Sequence, residues 1–264
     1  MDWKKEIYAS ADEKPLDRFV EGYSNTAIFR KIGFIGDSLS SGEFESLSDD
    51  GKRGWHDYFE YSWGQNLARI CGSKCFNFSR GGMTAREYCE SFADSMRFWD
   101  PQFACQCYII ALGVNDIHNA GMEYGSINDI CKEDYTKNAK TFTGYYAQII
   151  QHLKQIQPRA KFFLMTMMNE KENHHTSEKT EKHREILFEL SNYFDNTFVL
   201  DFYKYGPVYD GDFRSKFYMG GHMNPMGYVL TAHMVASYID FIIRHNPDEF
   251  KDVGYIGTDL SYNG

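Results

Sequence analysis

Five short apolar runs recur along the chain, at 28–35, 74–78, 105–112, 161–167 and 197–202. Several are apolar on successive residues, the pattern of strands covered on both faces. Between and after them lie stretches with apolar residues at helical spacing, at 58–70, 84–98, 135–156, 178–193 and 225–244. The first of these ends before Gly72, the third is stopped by Pro158, and the last opens with Asn224 as a cap and Pro225 in the first helical position. Strands alternating with helices predict a parallel sheet of about five strands in a three-layer α/β/α sandwich. With 264 residues the chain can bury one substantial core, so a single domain is expected, its motif-bearing region covering about 28–245.

Two stretches fit neither periodicity. Residues 40–54 are polar and glycine-bearing, and residues 168–182 hold many charges with His174 and His175. Each follows a strand-like run and is therefore expected at the carboxyl edge of the sheet, where open α/β sheets bind ligands. Adjacent histidines in a charged loop are expected to be solvated, and no metal or other cofactor is expected.

Charge narrows the partners. The formal net charge is -9, which disfavours phosphate backbones and anionic lipid surfaces, so neither nucleic acid nor membrane is expected. The longest contiguous apolar runs, such as 108–112, are too short to cross a bilayer. The first ten residues, MDWKKEIYAS, lack the apolar run of a signal peptide, and a cytoplasmic protein is expected. Six cysteines without zinc-site spacing are expected to be reduced and structural.

The segments that follow the strand-like runs carry the chemistry. The first run leads into Gly36-Asp-Ser-Leu-Ser, which lifts Ser38 off the strand end. It is neither the G-x-S-x-G elbow nor a glycine-rich phosphate loop. The second leads into Ser79-Arg-Gly-Gly-Met-Thr, whose paired glycines allow close approach of backbone to a ligand. The third ends in Leu112-Gly-Val-Asn-Asp and projects Asn115 beyond the sheet. After the fifth come Gly220-Gly-His-Met-Asn-Pro, with His222 just ahead of the last helix. A serine hydroxyl needs a base, a histidine can serve as one, and the charge that develops on a carbonyl oxygen needs fixed donors.

These residues resemble the SGNH, or GDSL-type, hydrolase family. Gly36-Asp-Ser-Leu-Ser matches its first block, Gly82 its second, Gly113-Val-Asn-Asp its third, and His222 with Asn224 and Gly227 its last, a resemblance running from about Ile32 to Tyr228. It implies a flavodoxin-like sandwich and an esterase or acyl-hydrolase. Ser38 would be the nucleophile and His222 the base. The oxyanion hole would be the Ser38 amide, the Gly82 amide and the Asn115 side chain. The expected substrate is a small polar ester, with O-acyl carbohydrates first among them. Two other readings share the machinery: an acyltransferase, and a binding protein that kept the fold and lost turnover.

One departure stands out. The family's orienting aspartate, three residues before the histidine, is here Met219. A thioether is a weak acceptor. Either a backbone carbonyl orients His222, leaving a Ser-His dyad, or a carboxylate arrives from elsewhere, Asp210 and Asp212 being near in sequence. The dyad is the expectation. Among the remaining candidates, Trp55, Tyr61 and Trp63 are expected to floor a cleft or pack on helices. Arg80 and Arg86 would bind an acidic substrate or form rim ion pairs, and Asp37 and Asp116 would hold backbone amides.

Overall fold

A computed structural model describes residues 7–170 and 177–255. His174 and His175 lie outside the described residues. The first strand, β1 (Lys31–Gly36), runs into a one-turn helix, α1 (Ser38–Ser41), and then into an antiparallel hairpin of β2 (Glu43–Leu47) and β3 (Arg53–Asp57). Helix α2 (Trp63–Cys71) leads to β4 (Lys74–Asn77), and a broken helical stretch, 85–95, leads to β5 (Cys107–Ala111). Then come α3 (Phe142–Ile156), β6 (Lys161–Met165), α4 (Ser177–Tyr193), β7 (Thr197–Leu200) and α5 (Gly211–Phe217). A second small hairpin, β8 (Tyr218–Met219) and β9 (His222–Met223), precedes α6 (Pro225–His245).

Five strands form one parallel sheet in the order β4-β1-β5-β6-β7, the doubly wound 2-1-3-4-5 arrangement. The sequence pattern therefore gives the expected sandwich. Its faces are buried by different helices. Trp63 and Leu67 of α2 and Val235 and Ile239 of α6 pack with Phe34 on one side. Tyr146 and Ile150 of α3 and Leu187 of α4 pack with Tyr108 and Phe162 on the other. Both faces of the sheet are covered by mostly apolar cores, which is why the strands lack polar alternation.

Three local readings differ. Residues 25–28 form a 3-10 turn capped by Ser24 rather than the start of a strand. The polar stretch at 40–54 contains most of the β2–β3 hairpin, whose alternation is short and falls on the surface. The chain does hold one described helix, α6, long and apolar enough by length and composition to cross a membrane. It serves as a core helix instead, and its Arg244 is buried in ion pairs with Asp240 at 2.7 Å and Glu13 at 2.5 Å. The six cysteines are unpaired thiols, four of them buried.

Candidate active site

The switch point of a doubly wound sheet lies where neighbouring strands send their connections to opposite faces, here between β1 and β5. Asp37 caps α1 by accepting from the Leu39 amide at 3.2 Å, so Ser38 becomes the first residue of a helix standing on the end of β1. Asn115 stands two residues beyond Gly113, in the first turn of the 114–119 helical segment. Ser38, Gly82, Asn115 and His222 line one cleft of about 550 Å³, together with Glu43 and Arg214.

The three groups expected as oxyanion donors differ in their hydrogen bonding. Neither the Ser38 nor the Gly82 amide has an acceptor among the described residues. Asn115 Nδ2 donates to the Met83 carbonyl at 3.2 Å and to Asp37 Oδ2 at a long 3.5 Å. That second hydrogen is weakly held and free to turn to a stronger acceptor. Asn119 Nδ2 fixes the amide by donating to Asn115 Oδ1 at 2.7 Å.

His222 is held from a direction the sequence did not suggest. His222 Nδ1 lies 2.8 Å from Glu45 Oε1, on β2. The same oxygen accepts from the Gly221 amide at 2.7 Å, and Arg53 donates to Glu45 Oε2 at 2.9 Å. The glycine turn before His222 wraps this carboxylate so closely that a Cβ on Gly220 would lie 2.3 Å from Glu45 Oε2. Burial alone would raise the Glu45 carboxyl, but the hydrogen bonds from His222 and Gly221 and the Arg53 charge carry it below the usual range. A carboxylate therefore meets the ring nitrogen for which the sequence offered a backbone carbonyl, Asp210 or Asp212. Asp210 and Asp212 are not the source: Asp210 caps α5 by accepting from the Phe213 amide at 3.0 Å, and Asp212 pairs with Lys216 at 2.6 Å. Met219 pairs across the hairpin with His222 and points largely to solvent.

The second ring nitrogen is also occupied. Glu43 Oε1 lies 3.0 Å from His222 Nε2, while the Ser38 hydroxyl has no hydrogen bond among the described residues. Burial raises the Glu43 carboxyl, His222 opposes the rise, and Asp57 and Glu45 add to it.

The supporting residues sort as follows. Asp37 and Asp116 hold amides, Asp116 Oδ1 accepting from the Ala85 amide at 2.8 Å. Burial pushes Asp37 up to about 6 and Asp116 up to about 7. Arg80 pairs with Glu87 at 2.5 Å on the rim. Trp63 is core, edge-on to Phe34, and Tyr61 stands edge-on to Phe44. Trp55 is exposed and sits opposite Glu45 in the hairpin register. His183 was not singled out by any motif. Fully buried on α4, it donates through Nε2 to the Leu112 carbonyl at 3.0 Å and braces the loop that carries Asn115. Burial pushes it down to about 4, so it is neutral at ordinary pH. Behind the cleft a smaller chamber of about 70 Å³ is walled by Met165, Met167, Met168, Met223 and Trp63, and shares Asp37, Leu39 and Tyr218 with the cleft. Among the described residues no three His, Cys, Asp or Glu side chains converge as a metal site.

Comparison with known proteins places the chain in a family. The model of the GDSL-like lipase/acylhydrolase family matches residues 34–230. A comparison with curated proteins found no match. Among solved structures, a family two carbohydrate esterase from Clostridium thermocellum in complex with cellohexaose is 17% identical with a TM-score of 0.55, covering 91% of this chain and 68% of that one. A family 3 carbohydrate esterase from Clostridium thermocellum is 15% identical, TM-score 0.51, with 81% and 96% covered. A lipase/acylhydrolase from Enterococcus faecalis gives the same four figures, 15%, 0.51, 81% and 96%. At these identities the structural likeness speaks to the fold, and the family match speaks to the chemistry. The chain belongs to the GDSL-like lipase/acylhydrolase family and is an ester-hydrolysing enzyme.

Proposed function

We propose that the enzyme removes short O-acyl groups from carbohydrates or similarly polar alcohols, with Ser38 as nucleophile, His222 as general base and Glu45 as the carboxylate that orients it. The observation that carries this reading is the 2.8 Å contact between His222 Nδ1 and Glu45, in a histidine that lines the same cleft as Ser38. With Nδ1–H held by Glu45, Nε2 is the nitrogen that can accept a proton. Ser38 Oγ attacks the ester carbonyl as its proton passes to Nε2. The carbonyl oxygen takes up negative charge facing the Ser38 and Gly82 amides and the Asn115 side chain. His222 then returns the proton to the leaving alkoxide, and a second round with water frees the acid and Ser38. Glu45 stabilises the imidazolium formed on the way.

Two features support the substrate class. The inner chamber, at about 70 Å³, is under half of the roughly 150 Å³ that accommodates benzene, which suits an acetyl-sized group. The cleft around it is polar, and two structures sharing the fold are named as carbohydrate esterases. The absence of the family's aspartate at Met219 favoured a binding protein without turnover, and a carboxylate on His222 argues against that reading. Ser38→Ala should abolish hydrolysis of p-nitrophenyl acetate and labelling by a fluorophosphonate while the thermal melt stays near wild type. Undiminished turnover in that variant would refute the assignment. Product analysis with added sugar separates hydrolysis from transfer to an acceptor alcohol.

A further inference from the structure

Two carboxylates, not one, face the imidazole. Glu43 and Glu45 are alternate residues of β2 and so share a face of the hairpin, with side chains only 12% and 10% exposed. Their surroundings differ. Glu45 has the Gly221 amide, His222 and Arg53 as partners. Glu43 has His222 as its one ion-pair contact among the described residues. Its other neighbours are mostly acidic: Asp57 and Glu45 across and along the hairpin and Asp37 at the end of β1, with His56 of β3 a nearby basic group and Arg214, paired with Glu170, lining the same cleft. On α6, the Tyr228 hydroxyl donates to its backbone carbonyl at 2.6 Å and not to its carboxylate.

The position is as telling as the partners. Glu43 Oε1 lies 3.0 Å from Nε2, and Glu43 Oε2 packs against Gly81, where a Cβ would come within 2.1 Å. Gly81 adjoins Gly82, whose amide is the proposed oxyanion donor. The carboxylate therefore spans from the base to the oxyanion loop. The leaving oxygen must enter this same space, because Nε2 has to hand it a proton.

Resting on the serine–histidine reading above, we propose that Glu43 selects the alcohol half of the ester by accepting a hydroxyl next to the ester oxygen, favouring esters of vicinal diols. Before substrate enters, a proton held between Nε2 and Glu43 satisfies both groups; its loss frees Nε2 to act as base and leaves Glu43 a bare carboxylate. When the ester oxygen takes that nitrogen, a buried carboxylate is left without its partner, which is costly. A hydroxyl on the adjacent carbon replaces the lost contact, and a monohydric alcohol has nothing to offer in its place. The raised Glu43 carboxyl fits a group that exchanges partners rather than one locked in a permanent ion pair.

The test compares glycerol 1-monoacetate with n-propyl acetate, which share a three-carbon alcohol skeleton and differ in the hydroxyls. Measured by acetate release, kcat/KM of the wild type should favour the diol ester about ten- to hundredfold, the range for a hydrogen bond to a charged group. Glu43→Ala should collapse the ratio toward one. Glu43→Gln, which keeps the shape and one acceptor, should narrow it severalfold and carries the test if the alanine variant does not fold. A wild type without preference, or a preference unchanged in both variants, overturns the proposal. So does a parallel fall of both esters in a variant that melts like wild type, since that marks a role in the general architecture of the site. If Ser38→Ala hydrolyses both esters like wild type, it is the serine reading that fails, not the selection by Glu43.

Discussion

The two sides of the cleft are built on different principles. One side is the end of the parallel sheet: Ser38 on the tip of β1 and Asn115 just past β5, over strands with no exposed residue. The other side is two small antiparallel hairpins lying outside the sheet, β2–β3 with Glu43 and Glu45 and β8–β9 with His222. Ser38 and Asn115 inherit their rigidity from the core. His222 and Glu45 hold each other, and the Glu45 hydrogen bonds to Gly221 and His222 join residues 176 and 177 apart in sequence. Geometry at the sheet end is therefore resistant to single changes, and geometry at the hairpins depends on one carboxylate.

The largest effect is expected on the hairpin side. Glu45→Gln should lower kcat on a short acetyl ester by about a thousandfold or more, on the scale of losing a triad acid. Asp210→Asn, assayed beside it, should stay within a few-fold of wild type because that residue caps a helix away from His222. The reverse ranking would return the orienting role to the segment before the histidine. On the sheet side, Asn115→Ala should cost roughly a hundred- to a thousandfold in kcat with a smaller change in KM, because the donor acts on charge that develops after binding. An effect confined to KM would make Asn115 a binding residue.

The smallest effect concerns stability beneath the sheet end. Burial raises the Asp116 carboxyl from 3.8 to about 7. The folded protein thus holds a proton that the unfolded chain has released between those values, and stability falls as pH rises through that window. Below the lower value both states are protonated and the group contributes nothing. Asp116→Asn should therefore gain more unfolding free energy over wild type at pH 8 than at pH 4, by at most about 4 kcal/mol, measured by denaturant unfolding at the two pH values. Equal shifts at both pH values would mean that Asp116 does not carry the proton.

The same contrast explains what the sequence disclosed. Ser38, Gly82 and Asn115 follow apolar runs that announce themselves by composition, and Asn224-Pro225 announces the helix behind His222. Glu45 had no such announcement. Its strand is five residues long, none of them buried and two exposed, and lies in a stretch whose polarity reads as loop. The usable signal was the alternation Glu43-Phe-Glu followed by Asp50-Gly51, a turn with Gly51 at φ +81, and then a second short run through Trp55. Even a recognised hairpin would not have disclosed its partner, since the contact to His222 is set by tertiary folding. His183 was hidden for a different reason: a buried histidine within a helix has no motif around it.

A double-mutant cycle on Glu45 and His222 tests most directly whether the hairpin carboxylate works through the base. kcat for p-nitrophenyl acetate would be measured for wild type, Glu45→Gln, His222→Ala and the double variant. If Glu45 acts by orienting His222, its removal should cost about a thousandfold in the wild-type background and almost nothing once the histidine is gone. Losses that multiply in the double variant would show that Glu45 acts independently of His222, and would contradict the site described above.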